Sequence, residues 1–134
     1  MSEFDLLIRG GTVVTADTST KCDIAVNNGR IAALGDDLGE AASEIDASGR
    51  LVLPGGVDSH CHIEQLAASG LINSDTFETA TRAAAAGGTT TVIPFAAQYE
   101  GMSLKKVVED YHALAQKGAI VDYAFHMIIA GPNP

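Results

Sequence analysis

Pro54-Gly55-Gly56-Val57-Asp58-Ser59-His60-Cys61-His62 is the stretch on which the fold turns. The Pro-Gly-Gly triplet stops a strand and redirects the backbone. In the extended segment that follows, Asp58, His60 and His62 occupy alternate positions and share one face, with Cys61 on the other. Two imidazoles at i and i+2 near a strand end can converge on one divalent ion, and neutral ring nitrogen suits zinc and its neighbours in the first transition row. Asp58 stands where a carboxylate orients such a ring from behind. Histidines one residue apart also occur by chance, so the surroundings decide what the pair means.

Upstream, residues 4 to about 53 read as short strands separated by turn chemistry. Gly10–Gly11 divides the apolar runs of FDLLIRGGTVVTA. In CDIAVNNGRIAALG, Asn28–Gly29 lies between two alternating apolar segments, and both residues tolerate the positive φ of a type I′ hairpin. SEIDASGRLVLPG supplies a third element that ends at the Pro-Gly-Gly turn. A boundary at residue 54 separates this small β-unit from the rest.

Downstream the rhythm changes to alternating strands and helices. VDSHCH leads to the helix DTFETATRAAAAGG, then the strand TTTVIPFA, the helix SLKKVVEDYHALAQKG and the strand IVDYAFHMIIA. The strand starts, Val57, Thr89 and Val121, are about 32 residues apart, the length of a βα unit. Asp75 with Glu78 is the expected start of the first helix, Gly87–Gly88 its left-handed exit, and Ser103 and Gly118 bound the second. On the second helix Leu104, Val107, Val108, Tyr111, Leu114 and Ala115 form one apolar face, opposite Lys105, Lys106, Glu109 and Asp110. The fold class is therefore α/β with a parallel sheet, doubly wound or closed into a barrel. Three strands cannot close a barrel, so residues 55–134 are expected to be the first part of a larger domain. If so, the histidines end its first strand, where barrel enzymes place their active sites.

Composition narrows the function. Hydrophobic residues make up 46% of the 134-residue chain and aromatics 5%, with no Trp, in keeping with a globular α/β protein. The net charge is −9 and no basic cluster exceeds Lys105–Lys106, which argues against nucleic acid and anionic membrane as partners. Cys22 and Cys61 are too few for a disulfide framework, the N-terminus lacks the charge and apolar run of a signal peptide, and no stretch is long enough to span a bilayer. A reduced, cytoplasmic setting is expected.

The β-unit, PGGVDSHCH, the helix, and then AAAAGGTTTVIPF together resemble the cyclic amidohydrolases: dihydropyrimidinases, hydantoinases, allantoinases and dihydroorotases. DTFETATRAAAAGGTTTVI and VDYAFHMII bring the chain nearest to the dihydropyrimidinase and hydantoinase branch. The resemblance implies the start of a (β/α)8 TIM barrel (residues 55–134) preceded by part of a β-sandwich (residues 1–54) that both ends of the chain assemble. It implies two divalent metal ions, zinc by family habit, with His60 and His62 on the more buried one. A carboxylated lysine, two further histidines and an aspartate would come from later strands, beyond residue 134. The implied reaction, known from pyrimidine catabolism, is attack by metal-activated water on the carbonyl of a small cyclic amide, opening the ring to an N-carbamoyl product. Family analogy adds a homotetramer.

The remaining candidates have competing readings. Lys105, Lys106 and Lys117 belong to the second helix and none can bridge metals, so no catalytic residue is expected within the chain, and the 134 residues alone are expected to be inactive. His112 reads as a surface helix residue, His126 as a core histidine with a backbone partner, and Cys61 as packed away from the metal. The segment IEQLAASGLINSDTF departs from typical hydantoinases in lacking a proline-containing loop. There Leu66, Leu71 and Ile72 either wall a substrate ring or staple the following helix to the core. Two other functions compete: a catalytically silent dihydropyrimidinase-like assembly protein, and a doubly wound binding domain. The histidine pair opposes the first, and the missing glycine-rich phosphate loop opposes the second.

Overall fold

A computed structural model describes residues 3–67 and 69–131. The chain divides into two compact units, Met1–Pro54 and Gly55–Pro134.

The first unit contains β1 (Phe4–Arg9), β2 (Thr12–Val14), β3 (Ser19–Lys21), β4 (Asp23–Asn27), β5 (Arg30–Gly35), β6 (Ala41–Asp46) and β7 (Leu51–Val52). They form two sheets, ordered β5-β4-β1-β6 and β3-β2-β7. The β4–β5 hairpin turns through Asn28 (φ 50°) and Gly29 (φ 70°), the left-handed pair that a two-residue turn needs. The Asn28 amide donates to the Asp5 carboxylate at 2.6 Å, which fastens this turn to β1. Leu7, Ile24 and Ala25 form the buried centre, and residues of both sheets, among them Ile8, Val14, Ile24, Val26, Ile31 and Val52, line an apolar cleft of about 270 Å³. Arg9 joins β1 to β4 and β6 through Asp23 (3.1 Å) and Glu44 (2.7 Å), and this guanidinium holds the Glu44 carboxyl below its ordinary range.

The second unit runs β8 (Gly56–Cys61), α1 (Phe77–Ala86), β9 (Thr89–Ala97), α2 (Leu104–Gly118), β10 (Asp122–Tyr123) and β11 (His126–Ile128). β9 is central and pairs in parallel with β8 on one side and with β10 and β11 on the other. The single third strand expected from IVDYAFHMIIA is thus two short pieces. Between them the Ala124 amide still donates to the Val92 carbonyl at 3.1 Å.

Both helices pack on one face of the sheet. Phe77 of α1, Val92 of β9 and Ala115 of α2 share one buried cluster with Ile63, and Val107 and Tyr111 of α2 meet Ala96 in a second. The residues buried on α2, Val107, Tyr111 and Ala115, lie on the face the apolar spacing indicated, and the opposite face carries the pairs Lys105–Glu109 and Lys106–Asp110. The start of α1 differs from expectation. Its N-cap is Thr76, whose hydroxyl accepts from the Thr79 amide (3.2 Å) while Thr79 Oγ1 accepts from the Thr76 amide (3.0 Å). Asp75 instead accepts from the Thr79 hydroxyl at 2.8 Å, and Glu78 pairs with Arg82 at 3.1 Å. The reason is reach: a threonine at the third helical position closes a capping box with its immediate predecessor threonine, so the helix starts one residue later.

Candidate functional site

The site forms where β8 ends against β9. Gly55 lets this happen: a Cβ there would lie 2.0 Å from Thr90 Oγ1, so only glycine allows the turn to enter β8 this close to β9. The parallel register then sets Asp58 opposite Val92 and Cys61 opposite Pro94, three steps along β8 against two along β9. That irregularity is a bulge, and it breaks the strict alternation on which the sequence placed Asp58 on the histidine face. Asp58 instead accepts the backbone amide of His60 at 3.1 Å, closing an Asx turn. It orients the backbone that carries His60 rather than either imidazole.

Beyond the bulge the two sides of the chain are distinct. Cys61 turns to the helix side, packing against the cluster of Ile63, Phe77, Val92 and Ala115, and burial pushes its thiol up from the ordinary value, with the Asp58 charge adding to the effect. His60 and His62 lie on the other side, both exposed, with ring centroids 5.6 Å apart. Phe95 of β9 packs against both rings, which also meet each other edge-on. Its ring meets His60 edge-on at 4.6 Å and stacks on His62 at 5.1 Å. On its third side lies His126 of β11, 5.0 Å away. A stacked or edge-on aromatic neighbour restricts an imidazole to a few orientations without occupying its nitrogens. The reading of the sequence missed Phe95. The available signal was its parity in TTTVIPFA, where Val92, Pro94 and Ala96 are buried toward the helices and Phe95 takes the opposite face.

His126 Nε2 lies 2.9 Å from the Ser59 carbonyl, which can only accept, so this nitrogen carries its proton and ties β11 to β8. His112 is exposed on α2 with its ring against Phe125 at 4.9 Å, remote from the pair.

The segment after His62 folds back on itself. Leu66 and Ile72 form an isolated antiparallel bridge, the Gln65 amide donates to Asn73 Oδ1 (2.9 Å) and the Asn73 amide to the Gln65 carbonyl (3.3 Å). The Tyr99 hydroxyl donates to the Leu66 carbonyl, and Glu64 accepts the Phe77 amide at 2.8 Å, which anchors the loop at both the β9 and the α1 side. Leu71 and Ile72 do not staple the helix: they are 72% and 64% exposed, while Ile63 and Phe77 occupy the core in their place. With His62, Gln65, Ala67 and Asn73 they line a cleft of about 260 Å³. Leu66 lies outside that lining.

Two neighbouring imidazoles, one of them lining a cleft, fit the donor chemistry of a transition-metal ion as two members of a larger set. Among the described residues no third His, Cys, Asp or Glu joins them. The same residues include no helix long and apolar enough to cross a membrane.

Known proteins place this arrangement. Residues 51–128 match the model of the amidohydrolase family, a span that contains the bulge, both histidines and Phe95. The chain is 47% identical over 133 residues to a D-hydantoinase of Streptomyces coelicolor, covering 95% of this chain and 28% of that one. It is 42% identical over 130 residues to a dihydropyrimidinase of Rattus norvegicus, covering 92% of this chain and 25% of the relative. A solved D-hydantoinase structure superposes with a TM-score of 0.92 at 42% identity over 97% of this chain and 28% of its own. The 134 residues therefore span little more than a quarter of the length of these relatives. By its matched span, its relatives and its fold, the chain belongs to the amidohydrolase family.

Proposed function

We propose that the whole protein hydrolyses the C–N bond of a small cyclic amide, a hydantoin or dihydropyrimidine, and releases an N-carbamoyl amino acid. One observation carries this reading: His60 and His62 pack together with Phe95 at the end of the first parallel strand, and His62 lines a cleft that also holds Leu71, Ile72, Gln65 and Asn73. His60 and His62 would hold one of two divalent ions, zinc by the resemblance, and the bridging carboxylated lysine would lie beyond residue 134. When bound, metal supplies a Lewis acid and lowers the pKa of water towards 7. The residues of this chain do the rest of what it contributes. Phe95 limits the imidazole rotamers, the Asp58 turn fixes the backbone of His60, and Leu71 and Ile72 offer apolar surface to a ring substituent. Gln65 and Asn73, whose amide oxygens are engaged by His62 and by the Gln65 backbone, bring NH2 donors to the same cleft, suited to a ring carbonyl.

For the architecture we propose a (β/α)8 barrel from residue 55 onwards and a β-sandwich portion in residues 1–54. Sequential parallel strand order with both helices on one sheet face is what the opening units of such a barrel require, and it supports this reading. A cytoplasmic homotetramer is the accompanying proposal for assembly.

The test is a ring-opening assay of the whole, metal-loaded protein on hydantoin, a 5-substituted hydantoin and dihydrouracil, reading N-carbamoyl product. Turnover of at least one is expected. Loaded protein inert on all three would contradict the proposal and favour a catalytically silent relative.

A further inference from the structure

We propose that Gln65 is a positioning residue that fixes the tautomer of His62 and ties it to the cleft wall. Gln65 Oε1 lies 2.5 Å from His62 Nδ1. An amide oxygen only accepts, so the ring nitrogen facing it must carry the proton, which leaves Nε2 as the ring's free lone pair. A histidine that donates one nitrogen to a fixed oxygen has its ring angle and its ligating nitrogen set before any ion arrives.

What makes Gln65 more than a local partner is how it is held. Its backbone exchanges two hydrogen bonds with Asn73, one through the Asn73 side chain at 2.9 Å and one between backbones at 3.3 Å. These close the base of the loop that carries Leu71 and Ile72. Next to this base the loop is tied at Leu66 to Tyr99. A single residue thus joins the loop base to one imidazole, while Phe95 stacks on the other side of the same ring.

The inference rests on the proposed role of His62, and its test separates the two. In the whole protein stripped of metal, long-range ¹H–¹⁵N correlation spectra above about pH 8, where imidazole is neutral, report which nitrogen of His62 bears the proton. The His62 signal is identified by its loss in His62→Gln. The wild type is expected to show the Nδ1–H form, Gln65→Glu to keep it, and the apolar isostere Gln65→Met to shift it towards Nε2–H. Gln65→Met should also weaken zinc binding about 10-fold, measured by competition with a chromophoric chelator. The loop-base bonds use the Gln65 backbone, so both substitutions leave them in place. A wild-type His62 protonated on Nε2, or a tautomer unchanged in Gln65→Met, would overturn the inference even if zinc binds. A Gln65-dependent tautomer in a protein that takes up no metal would uphold the role of Gln65 and remove the metal reading instead.

Discussion

At the scale of single residues, the placement of His60 and His62 side by side was legible in the sequence because it rests on local spacing and on the turn before it. Their surroundings were not. Asp58 shared the parity of His60 and His62, yet a bulge that no local pattern announces moved it off their face and gave it the His60 amide. Phe95 was hidden for a related reason: its neighbours are fixed by the register of β8 against β9, a long-range pairing that depends on the bulge. His60→Ala and His62→Ala are each expected to lose bound metal and activity by more than the roughly 100-fold ceiling typical of partners that only support a ligand. Metal analysis and initial rates check this. Phe95→Leu keeps the apolar volume but removes the aromatic stack, and it should weaken metal binding ~10-fold, the lower figure for supporting partners.

At the scale of elements, legibility followed the range of the interactions involved. The Asn28–Gly29 hairpin and the buried face of α2 came directly from the sequence, because two adjacent residues set the first and a 3.6-residue period sets the second. The start of α1 shifted by one residue because Asp75, Thr76 and Thr79 offer competing oxygens, and the reciprocal threonine pair prevailed. β10 and β11 read as one strand because nothing in VDYAFHMII marks the break in the ladder at Ala124–Phe125. Two predictions belong here. Thr81 is fully buried, donates to the Phe77 carbonyl at 2.6 Å and accepts the Ile120 amide at 3.1 Å, so it locks α1 to the segment after α2. Thr81→Val leaves that amide without an acceptor and should cost about 1–2 kcal/mol in denaturant unfolding, with Thr81→Ser recovering most of it. Gly55→Ala forces a Cβ onto Thr90 and should destabilise by about 1–3 kcal/mol. Thr90→Ala in the same chain should return part of the loss, because it removes the Oγ1 and Cγ2 atoms that a Cβ at residue 55 would meet at 2.0 and 2.4 Å.

At the scale of the molecule, family membership rests on matched residues 51–128 and on relatives that share the fold over nearly all of this chain. The sequence carried that much because a βα unit announces itself by period and length, and two such units followed by a third strand leave few architectures open. The chemistry is more diffuse. Two imidazoles, an aromatic neighbour and part of a cleft lie within these residues, and the proposed reaction needs partners contributed by other parts of the whole protein. The most direct measurement is the metal content of the whole protein as purified, read by mass spectrometry beside His60→Ala and His62→Ala. The account predicts about two transition-metal ions per subunit, as in two-metal hydrolases, and a loss in both variants. A wild-type protein that stays metal-free after incubation with zinc, or variants that retain the full complement, would contradict it.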